Sequence, residues 1–410
     1  MSTDRLTRHF VLLRALRWLP VGLVLPFLII TPVSRGLSLS EIGAVFAVHS
    51  AVAILLEVPS GALADSIGRR RVLLAGAFLT AVSLVAFAVA QGIAVFMVSV
   101  ALLAAGRAFV SGSLEAWYVD SLRLLDPIAP LGRGLSRGTA AEGVAMALGA
   151  LLAGGLVALS DPDGGSTGAL AGYGLAAVAG GFAAFVYVAA VARLVHEPPD
   201  RGPPVRGRIG QQVREVFATA RAEAAASVTV RIVFAIGIAF GVSLAATELL
   251  WQPRLADLLG GSQADGLVFG ALAAASMLAV ALGAGLSPTA NRHLGLRLGY
   301  LAAIALAALC VAAMGAPDTP IAFAAVYLLA YLGFGFAEPM HYELLNDAVG
   351  STARATLISA ESLATQGGAL VANLTVGALA AAQGSAVAWA AAGALLALTA
   401  AAVARPLLRA

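Results

Sequence analysis

The chain has 410 residues, of which 60% are hydrophobic and 11% charged, and its mean hydropathy is +0.92. This composition excludes a soluble globular protein and indicates a chain that lies largely in a membrane. The net charge of +3 does not indicate nucleic-acid binding, because the basic residues, all arginine, cluster at the borders of apolar segments. The single cysteine, Cys310, excludes a disulfide framework or a cysteine metal site within one chain.

Long apolar stretches determine the predicted fold. Residues 72–106 carry no charged side chain and are too long for one span of about 20 residues, so they fit two. A backbone inside a bilayer must satisfy its own hydrogen bonds, which favours helices, and the runs are too long for β-barrel strands. We therefore predict an all-α integral membrane protein with twelve transmembrane helices. They cover residues 18–33, 40–64, 71–90, 93–122, 138–159, 169–191, 228–251, 266–286, 298–314, 321–345, 356–381 and 387–403.

The arginines give the predicted orientation. The first four are assigned to an amphipathic cytoplasmic lead-in over residues 1–17, and three prolines in the first span predict a bent or broken helix. All but four of the arginines fall in segments assigned to the cytoplasm, which places both termini there. The exceptions are Arg35 and Arg254 on the outer side, and Arg107 and Arg231 within spans.

A loop rich in glycine and arginine follows the second span, and it reads GALADSIGRRR over residues 61–71. It resembles the signature loop of the major facilitator superfamily, G-x-x-x-D-R/K-x-G-R-R/K, which joins transmembrane helices 2 and 3. The resemblance implies a gating loop, in which Asp65 and the following arginines hold the cytoplasmic side closed in the outward-facing state. The matching residues are Gly61, Asp65, Gly68, Arg69 and Arg70, whereas Ser66 replaces a residue that is usually basic.

The chain repeats weakly. Glu115 and Glu338 lie at corresponding places near the ends of spans 4 and 10, and residues 288–295 correspond in position to the signature loop. Residues 196–227 contain four prolines and a helical pattern at 209–217, which predicts a cytoplasmic linker with an amphipathic helix. We predict pseudo-symmetric six-helix halves at 1–195 and 228–410. This organisation resembles the superfamily over the whole chain, which implies a cavity between the halves and alternating access.

Ionisable residues inside predicted spans are candidate functional groups, because charge is costly to keep in a membrane. In the superfamily an arginine of span 4 is often linked to proton coupling, and the predicted partner of Arg107 is Glu57 or Glu142. The alternative for the whole set is a static ion pair or strut between helices. The candidates for proton coupling or substrate binding are Glu57, Arg107, Glu115, Glu142, Glu338 and Glu361.

Polar aromatic residues near the ends of spans 4 and 10 could line a cavity and stack on a planar or cationic ligand. These cavity candidates are Trp117, Tyr118, His341 and Tyr342. Glu248 and Trp251 lie near the predicted outer end of span 7, and we assign both to the membrane rim. Asp120 and Glu343 are expected at the cytoplasmic interface, where they would pair with inner-loop arginines.

The sequence contains no catalytic constellation, nucleotide-binding loop or metal-ligand cluster, so we expect neither an enzyme nor a cofactor. The predicted function is secondary transport of a small organic molecule across the inner or plasma membrane by alternating access. A general resemblance to bacterial efflux-type members favours proton-coupled antiport by a monomer. The alternatives are symport or uniport uptake of a sugar, amino acid or carboxylate, and a non-transporting sensor or scaffold built on the same fold.

Overall fold

The computed structural model describes residues 2–161, 172–197, 209–261, 265–350 and 353–409, without the side chains of residues 65, 209, 212 and 355. Within these residues every regular element is helical and no strand is present. The α-helices are α1 (Thr3–Val24), α2 (Ile30–Ser34), α3 (Leu39–Ile67), α4 (Arg69–Val89), α5 (Ile93–Val110), α6 (Ser113–Leu125), α7 (Leu131–Ser160), α8 (Tyr173–Leu194), α9 (Ile209–Ala226), α10 (Val228–Leu258), α11 (Gly266–Leu294), α12 (Leu296–Ala313), α13 (Pro320–Asp347), α14 (Arg354–Gln383) and α15 (Ser385–Arg409).

The prediction of twelve transmembrane helices is confirmed. Twelve helical segments of the described chain are long and apolar enough to cross a bilayer, and they follow the predicted spans in order. The first segment runs from Thr3 to Phe27, so most of the residues assigned to the lead-in form one helix with the start of the first span. The cytoplasmic location of residues 1–17 stays a prediction. Helix α1 begins at an N-cap, where the Ser2 hydroxyl accepts a hydrogen bond from the Arg5 backbone N–H.

The first span is broken at one of its prolines, as predicted. Helix α1 continues through Pro20 and ends at Val24, and a 3₁₀ turn at Leu25–Phe27 then contains Pro26. Proline removes a backbone donor and obstructs the preceding turn, which accounts for the break. The hydroxyl of Thr31 donates to the carbonyl of Phe27 at 2.5 Å and satisfies one of the freed acceptors.

Span 4 is also discontinuous, although the sequence predicted one helix. Helix α5 ends at Val110 and α6 begins at Ser113, and Gly112 between them has φ +71°, which a side chain would make costly. The break leaves Arg107 in the last turn of α5 and Glu115 in the first turn of α6. Each charge has the sign that the adjacent helix dipole favours.

The described chain forms two compact units. Unit 1 comprises Met1–Thr31, Leu55–Gln212 and Asp265–Ala274, and unit 2 comprises Pro32–Ile54, Val213–Ala264 and Ala275–Ala410. Helices α3 and α11 therefore each contribute to both units. The predicted halves at 1–195 and 228–410 stay a prediction, and residues 198–208 of the predicted linker lie outside the described residues.

Glycines bring helices into backbone contact within each unit. A Cβ on Gly154 of α7 would lie 2.8 Å from the carbonyl oxygen of Gly266 in α11, inside unit 1. A Cβ on Gly368 of α14 would lie 2.0 Å from the carbonyl oxygen of Ile238 in α10, inside unit 2. Because lipid provides little hydrophobic drive between helices, close packing at small residues contributes much of the helix association.

Candidate functional site

An arginine bridges two carboxylates in unit 1. The guanidinium of Arg14 in α1 forms ion pairs with Glu115 in α6 and with Glu142 in α7, the latter with Nη2 2.6 Å from Oε2. The Arg14 side chain is 11% exposed, against 49% for Glu115 and 21% for Glu142. Charge-assisted bonds of this kind are about twice as strong as neutral ones, and here they join three helices.

Arg14 was not among the predicted site residues, because it lies among the arginines near the N-terminus. The buried residues of α1 include Leu6, Phe10 and Leu13, and this helical spacing places Arg14 on the same face. Arg5 and Arg8, by contrast, are exposed. The periodicity of these apolar residues was therefore the signal that distinguishes the buried arginine from its neighbours.

The structure also locates the other predicted charges of unit 1. Glu57 in α3 is half-buried, Arg107 in α5 is exposed, and the two are close enough for their charges to interact. Glu142, the second predicted partner of Arg107, instead pairs with Arg14. The two predicted candidates that the structure brings together most directly are thus Glu115 and Glu142, through an arginine that was not predicted.

The signature loop is tied to two other parts of unit 1. Arg69 pairs with Asp120 of α6, as expected for an interfacial carboxylate. The backbone N–H of Arg70 donates to Glu197 at 2.8 Å, and its guanidinium donates to the carbonyl of Ala192 at 2.9 Å.

The other residues of the signature loop determine its backbone. Gly68 has φ +107°, which explains the glycine at this turn. Gly61 lies in α3 with open space around its Cα, and the Asp65 side chain lies outside the described residues.

Trp117 and Tyr118, which we predicted to line a cavity, are buried in the hydrophobic core of unit 1 and are only 2% and 1% exposed. The indole N–H of Trp117 donates to the carbonyl of His196 at 2.9 Å. Tyr118 stacks on Phe10 with ring centroids 4.2 Å apart, and its hydroxyl lies 3.1 Å from that of Thr7. Both polar atoms are thus used within the unit, so these side chains hold helices together in this structure.

In unit 2, a chain of polar groups joins α12, α13 and α14. The hydroxyl of Tyr300 lies 2.7 Å from His341 Nδ1, and His341 Nε2 lies 3.1 Å from an oxygen of Glu361. The hydroxyl of Thr365 donates to the same Glu361 oxygen at 2.8 Å. Glu361 is 5% exposed, and Gly237 of α10 makes room for it, since a Cβ there would lie 2.8 Å from the carboxylate.

The remaining predicted residues of unit 2 surround this chain of polar groups. Glu338 is exposed and close enough to His341 and Glu361 for their charges to interact. Tyr342 is half-buried, with its ring perpendicular to that of His341 at 5.7 Å. The structure thus brings together the three predicted ionisable residues of spans 10 and 11. Glu343 accepts hydrogen bonds from Asn291 rather than from an arginine.

Glu248 of α10 is a further carboxylate of unit 2, and its environment differs from the predicted membrane rim. Its side chain accepts a hydrogen bond from the hydroxyl of Tyr331 in α13. Trp251, also assigned to the rim, is 0% exposed and lies beside the same carboxylate. A rim position would leave both side chains at the protein surface, so this assignment is wrong.

Candidate metal ligands do not cluster in the described part of the chain, where no group of three or more histidine, cysteine or acidic side chains could hold an ion. The polar sites are instead a carboxylate–arginine cluster in unit 1 and carboxylates bound to hydroxyl and imidazole groups in unit 2. Groups of this kind bind protons and small polar or charged molecules.

The described residues thus form twelve apolar helices that carry ionisable side chains, which is typical of a polytopic membrane protein with a polar functional site. The chain belongs to the Major Facilitator Superfamily, whose sequence profile matches residues 10–372. The resemblance inferred from the signature loop is thereby confirmed, as is the all-α twelve-span fold. A comparison with curated protein sequences gives no significant match.

Solved structures of similar fold include several transporters at low sequence identity. A point mutant of the nucleoside transporter NupG has a TM-score of 0.78 and 14% identity, covering 98% of this chain and 99% of NupG. A bacterial homologue of the human lysosomal transporter Spinster, inward-facing and unoccupied, has a TM-score of 0.74 and 16% identity, covering 99% of this chain and 98% of the homologue. A POT family transporter in complex with 5-aminolevulinic acid has a TM-score of 0.73 and 12% identity, covering 98% of this chain and 96% of that transporter. These similarities establish the fold.

Proposed function

We propose that this chain couples the movement of a small organic molecule to a proton gradient, and that it exports the molecule in exchange for protons. The observation that carries this proposal is the bridge from Arg14 to Glu115 and Glu142. Two carboxylates share one guanidinium at the junction of α1, α6 and α7. Binding of one proton to this bridge would therefore weaken an ion pair that joins three helices.

Binding of a proton would change the charge of the bridge. A proton on Glu142 would neutralise that carboxylate, and a neutral carboxyl attracts a guanidinium far less than an ionised one does. Arg14 would then remain bound to Glu115 alone, and the contact between α1 and α7 would weaken. A proton that alters helix contacts in this way biases a conformational equilibrium, which is what coupling requires.

Exchange follows if proton binding and substrate binding favour opposite conformations. The general resemblance of the sequence to bacterial efflux-type members supports this direction. The second candidate is proton symport or uniport uptake, and the fold shared with nucleoside and peptide transporters supports it. A non-transporting sensor on the same fold is the remaining alternative. The family also supports a bilayer-embedded protein, and we propose the inner or plasma membrane with both termini in the cytoplasm.

The test uses purified protein in proteoliposomes with an imposed pH gradient and a pooled panel of small molecules, measured inside and outside by mass spectrometry. Export-type exchange predicts that one or more compounds move against their gradient as protons move the opposite way. The Glu142→Gln variant keeps the shape of the side chain but cannot be charged, so it should lose the dependence on the pH gradient.

The matched control is Asp318→Asn, because Asp318 is 95% exposed and only reaches Arg254 at 4.0 Å. It should transport like the native chain. Accumulation of a compound together with protons would replace exchange by symport. Equal pH dependence in Glu142→Gln and the native protein would remove the bridge from the coupling mechanism, and a folded protein that moves no compound would favour the sensor alternative.

A further inference from the structure

Two arginines inside the spans of unit 1 form no ion pair with any residue that the structure describes. Arg17 lies in α1 and Arg107 in α5, and no described carboxylate oxygen is within 4.0 Å of either guanidinium. The two guanidinium groups are close enough for their charges to interact. Like charges at one place in a membrane repel each other, so an anion bound to both would lower the electrostatic free energy.

The carboxylates nearest to these arginines do not neutralise them directly. Glu142 interacts with Arg17 at longer range, but its own partner is Arg14, whose Nη2 lies 2.6 Å from Glu142 Oε2. Glu57 is close enough to Arg107 for their charges to interact, yet the charged atoms of the pair are more than 4.0 Å apart. Positive and negative charges are thus separated around Arg17 and Arg107, whereas Arg14 is fully paired.

Both arginines are accessible at the surface of unit 1. Arg107 is exposed and Arg17 is partly exposed. Glu115, which follows Arg107 across the break in span 4, is 49% exposed. Charged groups that are exposed within a span are costly against lipid and face water-filled space instead. A dissolved anion can therefore reach the two guanidinium groups.

Hydrogen-bond donors accumulate beside Arg17. The ring of Trp18 lies 5.3 Å from the guanidinium carbon, and its buried indole N–H has no partner among the described residues. The buried hydroxyl of Tyr187 in α8, which lies near Arg17, also has no partner in this part of the chain. Because buried polar groups are normally paired, an excess of donors favours a ligand that supplies acceptor oxygens.

The charges also favour a particular kind of anion. A guanidinium presents its N–H groups in a planar fork that matches the two oxygens of a carboxylate. Equal numbers of arginines and glutamates interact in this part of unit 1, three of each. A ligand with a single negative charge disturbs this balance less than a doubly charged phosphate does.

We propose that Arg17 and Arg107 bind the carboxylate of a small organic acid, with both guanidinium groups donating to its oxygens. This assignment rests on the proposed transport function, because it names the class of molecule that is moved. Glu57 competes with the ligand for Arg107, so removal of its charge strengthens binding.

The first test measures binding without transport. Radiolabelled benzoate is titrated with the purified full-length protein in an uncharged detergent, and unlabelled benzoate, benzamide and inorganic phosphate serve as competitors. We expect saturable binding that benzoate displaces and that benzamide, which has nearly the same shape but no charge, does not. The absence of saturable binding, or equal displacement by benzamide, would overturn the proposal. Stronger displacement by phosphate than by benzoate would overturn the choice of a carboxylate.

Variants at three positions test the roles of the individual charges. Arg17→Gln and Arg107→Gln should each weaken benzoate binding by about tenfold or more, because a charge-assisted hydrogen bond is lost. Glu57→Gln should tighten it several-fold, a result that a damaged fold would not give. Arg5→Gln is the matched control, because Arg5 is an exposed arginine of the same helix as Arg17, and it should bind like the native protein. Unchanged affinity in both site arginine variants, or weaker binding in Glu57→Gln, would overturn the proposal.

A second measurement uses the native protein, so it does not depend on the folding of a variant. Phenylglyoxal modifies guanidinium groups, and mass spectrometry of the peptides locates the modified arginines. Benzoate should protect Arg107 several-fold more than it protects Arg5, and benzamide should protect neither. Modification of Arg107 that benzoate leaves unchanged would overturn the proposal.

These results can be separated from those for the proposed function. Benzoate binding at Arg17 and Arg107 without any proton-driven flux would remove the proposed function and leave this assignment intact. Proton-driven flux of a compound that Arg17→Gln and Arg107→Gln leave unchanged would remove this assignment and leave the proposed function intact.

Discussion

Unit 1 and unit 2 neutralise their carboxylates in different ways. In unit 1, arginines serve as the partners, because Arg14 bridges Glu115 and Glu142 and Arg69 pairs with Asp120. In unit 2, the partners are a phenol for Glu248, a threonine and a histidine for Glu361, and an amide for Glu343. The arginine contact of unit 2 that the structure shows, Arg254 at 4.0 Å from Asp318, involves an exposed carboxylate. The difference extends to corresponding positions, since Asp120 and Glu343 each lie five residues after the glutamates that the repeat aligns.

The two units thus share apolar helices but differ in the partners of their carboxylates. An arginine in contact with a carboxylate supplies a permanent positive charge and fixes the geometry of the pair. A hydroxyl or an imidazole satisfies a carboxylate without supplying a permanent positive charge, so a proton or a ligand can still provide one. The carboxylates of unit 1 thus have permanently charged partners, whereas Glu248 and Glu361 of unit 2 have hydroxyl and imidazole partners.

Of the substitutions that test this contrast, Arg14→Met is expected to have the largest effect on stability and transport. Methionine fills much of the same volume but leaves Glu115 and Glu142 without their shared counter-charge. Loss of the more buried pair, Arg14–Glu142, costs up to about 3 kcal/mol. We expect a clearly lower melting temperature of the purified protein and loss of proton-dependent transport.

Arg8→Met serves as the control, because Arg8 lies on an exposed part of the same helix. It should melt and transport like the native protein. Adding Glu142→Gln to Arg14→Met should recover part of the lost stability, since one unpaired charge is removed. Unchanged melting in Arg14→Met would show that the cluster does not hold α1, α6 and α7 together, and the contrast between the units would fail.

A smaller loss of stability is expected when the glycines at helix contacts are replaced, and it should occur in both units. Gly154→Ala and Gly368→Ala place a methyl group against a neighbouring backbone and should each cost about 2 kcal/mol by overpacking. The next glycine in α7 and the preceding one in α14 have open space around them, which provides matched controls. Gly155→Ala and Gly367→Ala should be neutral or stabilising by up to about 1 kcal/mol.

Melting temperatures of the four purified variants test whether helix packing, unlike charge, is shared by the two units. Destabilisation by Gly154→Ala without a matching effect of Gly368→Ala would mean that the units also differ in packing. No difference within either pair of adjacent glycines would contradict the close backbone contacts.

The sequence predicted the helices well because they depend on local composition. The lengths of apolar stretches fix twelve spans, and the glycine of the signature loop does have positive φ. The partner of Glu142 could not be predicted in the same way, since it depends on the rotation of α1, α5 and α7 about their own axes. Arg107 was the apparent partner because it lies in the middle of a predicted span, whereas Arg14 was assigned outside one.

The break in span 4 and the position of Glu248 escaped the sequence analysis for related reasons. A serine–glycine pair occurs in many continuous membrane helices, so the pair at 111–112 gave no distinct signal for a break. Glu248 was placed by its distance from the end of an apolar stretch. That stretch continues as α10 to Leu258, which leaves Glu248 well inside the helix.

The smallest effect is expected from Thr365→Val in unit 2. Valine keeps the shape of threonine but removes the hydrogen bond to the buried carboxylate of Glu361, which should cost about 1 kcal/mol. The control is Thr375→Val on the same helix, because Thr375 is exposed and its hydroxyl bonds only to a backbone carbonyl. A thermal melt of both variants decides whether neutral donors stabilise the carboxylates of unit 2. Identical melting of the two would show that Glu361 does not depend on Thr365.

The first residues of the predicted linker are attached to unit 1 at two points. The carbonyl of His196 accepts a hydrogen bond from Trp117 in α6, and the side chain of Glu197 accepts one from the backbone of Arg70 in the signature loop. These two hydrogen bonds attach adjacent residues of the chain to two different helices of unit 1. A displacement of residues 196 and 197, by a bound protein or a cross-link, would therefore move the loop between α3 and α4 and helix α6 at the same time.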